Sequence, residues 1–150
     1  MKFADFYVGQ IIKAGPYAVS EDEVRRFAEA YDPQWFHTDP KAAARGRFGG
    51  LIASGWHTCA IAMRLAVDAA LKDSESFASP GVAYIKWLAP VRPGDRLSLM
   101  AEIVEKRRSA SKPTLGVLVW RLRLINQDGV EAMEFEATSL FDLAASEQAL

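Results

Sequence analysis

Apolar positions recur at two different periods along this chain, and the change of period divides it. In the first half Val24, Phe27, Ala28 and Tyr31 stand three and four residues apart, one apolar stripe on an otherwise charged stretch. Residues 20–23, Ser-Glu-Asp-Glu, read as a capping box in front of that helix: Ser20 caps the backbone and Glu23 reaches back. Pro33 disfavours the helical state at Asp32, so the helix ends there and His37 falls in the following loop. Asp39-Pro40-Lys41 starts a short second helix that ends near Gly46. Residues 56–71 are apolar nearly all round, which predicts a helix in the middle of the fold, with its many alanines allowing close approach. Ahead of Ser20, Val8 to Ile12 and Tyr17 to Val19 read as an opening strand interrupted at Gly15-Pro16.

In the second half the period drops to two. Leu118, Trp120, Leu122 and Leu124 alternate with Val119, Arg121 and Arg123, the pattern of a sheet with one covered face. Strands are predicted over 82–88, 96–106, 115–125 and 130–141, with turns at Pro93-Gly94-Asp95 and Gln127-Asp128-Gly129. The tail after Asp142 reads as a frayed helix. Helices followed by a run of antiparallel strands give an α+β class, with one long-stranded sheet wrapped around one buried helix. No linker or repeat divides the chain, so residues 1–150 are expected to form a single domain.

Composition narrows the partners. Half of the 150 residues are hydrophobic, a quarter are charged and the net charge is −1, so no global field recruits nucleic acid or anionic lipid. The segment Met1 to Asp5 lacks the apolar run of a secretory signal. The low-charge run 48–63 is too short and Gly-rich to span a bilayer, so the expected location is cytoplasmic. The single cysteine, Cys59, excludes an internal disulfide framework, and in an apolar helix it is expected to be inert. Two histidines and one cysteine make no closed transition-metal set, and no Gly-rich phosphate loop is present; neither metal nor cofactor is expected.

Candidate chemistry concentrates between Phe27 and Thr58. This stretch holds both histidines, Asp32 five residues before the first, and Gly55 just ahead of the apolar helix. Acid, base and helix N-terminus are the parts of an acid/base site. Read singly, Asp32 is a helix-end carboxylate and His37 a ring packed on Trp35. Gly55 would let a substrate approach a backbone N–H, while Gly49 and Gly50 either serve the same end or relax a tight crossing. Trp35, Phe36 and Trp56 either wall a pocket beside these residues or fill the core. Ser54 reads as an N-cap, and His57 as a neutral ring in the core or behind the site. Lys106, Arg107, Arg108 and Lys112 read as a solvated bend before they read as phosphate ligands.

Taken in order, these residues resemble the MaoC-type dehydratase family, which has the hotdog fold. The matching positions are Phe27-Ala28, Asp32, His37, Asp39, Ala42-Ala43, Phe48-Gly49, Ile52-Ala53 and Gly55, followed by Ala89-Pro90-Val91-Arg92-Pro93-Gly94-Asp95. The resemblance implies reversible hydration of a trans-2-enoyl-CoA to an (R)-3-hydroxyacyl thioester, with coenzyme A arriving as part of the substrate. It assigns catalysis to Asp32, His37 and the Gly55 backbone, and substrate contact to Gln34, Trp35, Phe36, Phe48, Gly49, Ser54, Trp56 and His57. It also implies a homodimer. Gln34, Trp35, Ser54 and Met63 depart from the family pattern, which points to an altered acyl pocket. A thioesterase on the same fold and a non-catalytic acyl-CoA-binding module are the alternatives. The first commonly uses a carboxylate on the central helix, where only Asp68 is available.

Overall fold

The structure, a computed structural model, describes residues 1–144. Five strands form one antiparallel sheet: β1 (Ile11–Ala18), β2 (Ser76–Trp87), β3 (Arg96–Arg108), β4 (Leu115–Ile125) and β5 (Glu131–Asp142), in the order β1-β3-β4-β5-β2. Between β1 and β2 come α1 (Glu21–Tyr31), the one-turn α2 (Trp35–Thr38), α3 (Pro40–Ala44) and α4 (Gly55–Ala66), which a π-helical turn prolongs over Val67–Leu71. The sheet wraps around α4 in the hotdog arrangement.

Alternation builds the sheet's covered face. Leu97, Leu99, Ala101 and Ile103 of β3 and Leu118, Trp120, Leu122 and Leu124 of β4 are buried, while the residues between them face outward. Ala101, Leu122 and Phe135 stand side by side across three strands. Onto this face α4 lays Ile61, Ala62, Leu65 and Ala66, the alanines letting the helix come close. Each fully buried Leu or Ile contributes roughly 1.5–3 kcal/mol. The opposite face of α4 stays open: Trp56, Met63 and Arg64 are exposed, so the helix is not covered all round as its composition suggested.

Several local expectations change. β1 runs through Gly15-Pro16 as one strand, and a register shift between Ala14 and Tyr17 accommodates the proline on this edge. Ser20 Oγ accepts the Glu23 N–H at 3.2 Å, but the Glu23 carboxylate turns to Tyr17 and His57, so the reciprocal half of the capping box is replaced by tertiary contacts. β2 begins at Ser76 rather than Val82, because its first half is almost wholly exposed and carries no one-sided pattern. His37 lies in α2, not in a loop. Lys106 Nζ donates to the Phe6 carbonyl at 2.6 Å, Arg107 pairs with Glu105 at 2.6 Å and Arg108 donates to the Pro113 carbonyl at 3.2 Å, so most of the basic bend is engaged within the protein. The helix expected after Asp142 falls largely outside the described residues. Among the described residues no helix is long and apolar enough to cross a membrane.

Candidate active site

Three local features bring the acid and the base together. Pro33 ends α1 with Asp32 as its C-cap, whose N–H still donates to the Ala28 carbonyl at 2.8 Å. Gln34 to Thr38 close one further helical turn, which carries His37 inward until it is buried. Residues 51–53 then thread between α2 and Val91, with the Ala53 N–H donating to the Val91 carbonyl at 2.8 Å. His37 Nδ1 lies 2.6 Å from the Ile52 carbonyl oxygen. A carbonyl only accepts, so Nδ1 carries the hydrogen and Nε2 is turned toward Asp32, 3.3 Å from Oδ2.

Asp32 is held from three sides. Ser54 Oγ donates to Oδ2 at 2.7 Å, Gln34 Nε2 donates to Oδ1 at 2.7 Å, and His37 faces Oδ2. The Ser54 hydroxyl first, and then the Gln34 amide, hold the Asp32 carboxyl below its ordinary value; partial burial opposes them and His37 adds to them. Ser54 is fully buried and also caps α4, accepting the Trp56 N–H at 3.3 Å. One hydroxyl thus satisfies the start of α4 and orients the acid. The sequence pointed to the capping and, by resemblance, to substrate contact, but not to this bond with Asp32.

Asp32, Gln34, His37, Phe48, Gly55 and Trp56 line a cavity of about 470 Å³ together with Thr58, Trp87 and the segment from Leu88 to Val91. Gly55 is the first residue of α4, and its N–H has no hydrogen-bond partner among the described residues. The cavity therefore joins an ionised carboxylate, an imidazole nitrogen and a helix N-terminus, a set able to move protons beside a carbonyl whose oxygen gains charge.

Other residues singled out from the sequence lie elsewhere. Trp35 is half exposed and packs over Gly46, where an added methyl group would come within 2.6 Å of the ring. With Phe36 it lines a neighbouring cavity of about 200 Å³, which Phe48 shares. Gly49 lies on neither cavity wall; its φ of +66° is the backbone demand that makes it glycine. His57 stacks on Phe27 at 4.8 Å, and its Nε2 sits 3.0 Å from Glu23, facing a separate cavity of about 420 Å³ with Tyr17 and Arg64. It is removed from Asp32 and serves to join α1 to α4. Burial pushes the Cys59 thiol up from its ordinary value, which disfavours the reactive thiolate. Thr58 and Trp87 were missed. Nothing in a linear reading marks Trp87, at the far end of an exposed strand, as a neighbour of Gly55.

Substituting Ser54 tests this geometry. Asp32 is depressed in the folded chain relative to 3.8, so it adds stability above that pH, and the contribution is lost as pH falls through the folded value. Ser54→Ala moves the Asp32 value back up. The acid limb of any activity that needs the carboxylate should therefore shift to higher pH. Stability at neutral pH should drop by about 1–2 kcal/mol, counting the lost cap, and the gap to wild type should narrow below pH 3.8. Denaturation midpoints against pH read this directly; a gap that widens on acidification would contradict the assignment.

Comparison with known proteins gives a consistent picture. A family profile described as a MaoC like domain matches residues 5–119. The MaoC-like dehydratase from Rhodospirillum rubrum superposes with a TM-score of 0.85 at 33% identity, covering 93% of this chain and 94% of that one. YdeM of Bacillus subtilis, an uncharacterised protein, is 34% identical over 140 residues, 93% of this chain and 98% of its own length. The 3-hydroxyacyl-thioester dehydratase Z of Mycobacterium tuberculosis is 35% identical over 88 residues, 57% of this chain and 58% of that protein.

Proposed function

The chain belongs to the MaoC-like family of hotdog-fold dehydratases, and from that premise we propose that it reversibly hydrates a trans-2-enoyl-CoA to an (R)-3-hydroxyacyl thioester. The observation that carries this reading is His37 Nε2 facing Asp32 Oδ2 at 3.3 Å, in a cavity that opens onto the first N–H of α4. A water held between the carboxylate and the imidazole gives up a proton to this pair as its oxygen bonds to C3. The C2–C3 π electrons move toward the thioester, and its carbonyl oxygen takes up negative charge. The Gly55 N–H, at the positive end of α4, stabilises that oxygen. C2 then takes a proton from the pair, which leaves both residues as they began. One O–H bond and the C2–C3 π bond are broken, one C–O and one C–H bond are formed, and dehydration is the reverse.

The thioesterase alternative needs a helix carboxylate near the thioester. Asp68 is exposed on the π-helical turn and paired with Arg64 at 2.7 Å, so α4 brings no carboxylate to the cavity. Incubation with crotonyl-CoA tests all the readings together. The expected result is loss of enoyl absorbance with formation of the 3-hydroxyacyl thioester and no free thiol. Thiol release would instead favour the thioesterase, and saturable binding without turnover would favour the non-catalytic module.

We further propose a homodimer. Among the described residues β2 is hydrogen-bonded on one side only, to β5, and leaves Phe77 and Val82 exposed along a twelve-residue edge. Such an edge is a liability that pairing with a second copy removes. Light scattering should give the mass of two chains; a stable monomer at micromolar concentration would refute the pairing.

A further inference from the structure

Trp87 ends β2, and its indole lies against the start of α4. An added methyl group at Gly55 would come within 2.5 Å of Cε2 and 2.6 Å of Nε1. Nε1–H donates to the Gly55 carbonyl at 3.0 Å, although the residue is 48% exposed. Trp56 meets this ring edge-on, with centroids 5.5 Å apart and planes at 79°. Both rings belong to the wall of the cavity that holds Asp32 and His37.

Further along the same two elements lies another cavity, of about 300 Å³, lined by Cys59, Ala60, Met63, Val82, Ile85 and Phe135. Cys59 and Ala60 stand one helical turn beyond Trp56. Ile85 stands two residues before Trp87, on the same strand face and opposite Phe135. The two cavities are therefore consecutive along α4 and β2, and the tryptophan pair belongs to the wall of the first, at the end of both elements nearer the second. Among the described residues no charged side chain lines this second space, which suits an alkyl chain and offers nothing to a thioester or a nucleotide.

We propose that Trp87 sets the length of acyl chain this site accepts. In the observed position it confines the tail of a bound thioester to the catalytic cavity, which restricts the substrate class to short acyl chains. The apolar cavity beyond it is the volume a longer tail would need, and a tail passes into it from the catalytic cavity only when the indole leaves Gly55. This inference rests on the acyl-thioester reading above. Trp87 does not move protons; it acts on which substrates fit.

The test compares wild type with Trp87→Ala and Trp87→Leu on crotonyl-, octenoyl- and dodecenoyl-CoA. Wild type should lose kcat/KM as the chain lengthens. Trp87→Ala should raise the dodecenoyl-to-crotonyl ratio by about ten-fold or more, mostly through KM, since each buried methylene is worth roughly four-fold. Trp87→Leu should change the ratio in the same direction by less, and it guards against a fold defect in the smaller variant. A wild type that hydrates dodecenoyl-CoA as well as crotonyl-CoA would overturn the proposal, as would a ratio that Trp87→Ala leaves within about two-fold. Affinities for saturated butyryl- and lauroyl-CoA, measured by calorimetry on the same proteins, separate this from the hydratase reading. If no enoyl thioester is turned over, that reading fails. The gate then stands if Trp87→Ala tightens lauroyl-CoA relative to butyryl-CoA, and falls if it does not.

Discussion

Asp32→Asn and His37→Ala should each lower kcat/KM for enoyl-CoA hydration by about 10²–10⁴-fold, the range that positioned acid/base groups supply. The two side chains share one proton path, so the double variant should lose little more than the worse single one. The substitutions differ in their side effects. Asp32→Asn keeps the shape, but its single amide oxygen can accept from Ser54 or from Gln34 and not from both, so it removes charge and basicity at the cost of one of these hydrogen bonds. Its loss should therefore appear in kcat, with a fall in melting temperature that reflects one lost hydrogen bond and the lost charge. His37→Ala removes a buried ring and leaves the Ile52 carbonyl without its donor, an unsatisfied group that costs about 1–3 kcal/mol. Activity and stability should both fall in that variant, so Asp32→Asn is the cleaner measurement. Hydration that survives in both would mean that the proton moves by another route.

Much of this arrangement was legible from short-range rules. Ser20, Pro33 and the Asp39-Pro40 pair act on their immediate neighbours, and α1 and α3 begin or end accordingly. The alternation in β4 is a direct imprint of one covered face, and 115–125 was read to the residue. The failures share a cause, which is tertiary contact across the chain. Ser54 lies twenty-two positions from Asp32, and its bond to that carboxylate depends on how α1 and α4 cross. Glu23 fits a capping box locally, but Tyr17 and His57 compete for its carboxylate and win. Trp87 meets Gly55 across thirty-two positions, and a strand exposed along most of its length carries no period to announce that contact. The open face of α4 escaped detection for a related reason. Its apolar residues look alike whether they meet the sheet, as Ile61 and Leu65 do, or remain outside it, as Trp56 and Met63 do.

Gly55 is where the two kinds of constraint meet, and Gly55→Ala should reduce kcat/KM by about 10²-fold with little change in stability. The stability balance is a near cancellation. Alanine is favoured over glycine in a helix by about 1 kcal/mol, while the new methyl displaces the Trp87 ring and breaks its bond to the Gly55 carbonyl, a loss of about the same size. The ring is half exposed and at the end of its strand, so it can swing outward without disturbing the core. Catalysis has no such offset. The methyl stands beside the N–H that must reach the thioester oxygen, and a displacement of about 1 Å at that point costs roughly 10²-fold. The double variant Gly55→Ala/Trp87→Ala separates the two constraints. Removing the indole relieves the clash and should leave a stable protein, but activity should stay low, because the methyl still blocks the N–H. Full recovery in the double variant would mean that Gly55 is glycine only to admit Trp87, and that the developing negative charge is stabilised by another donor.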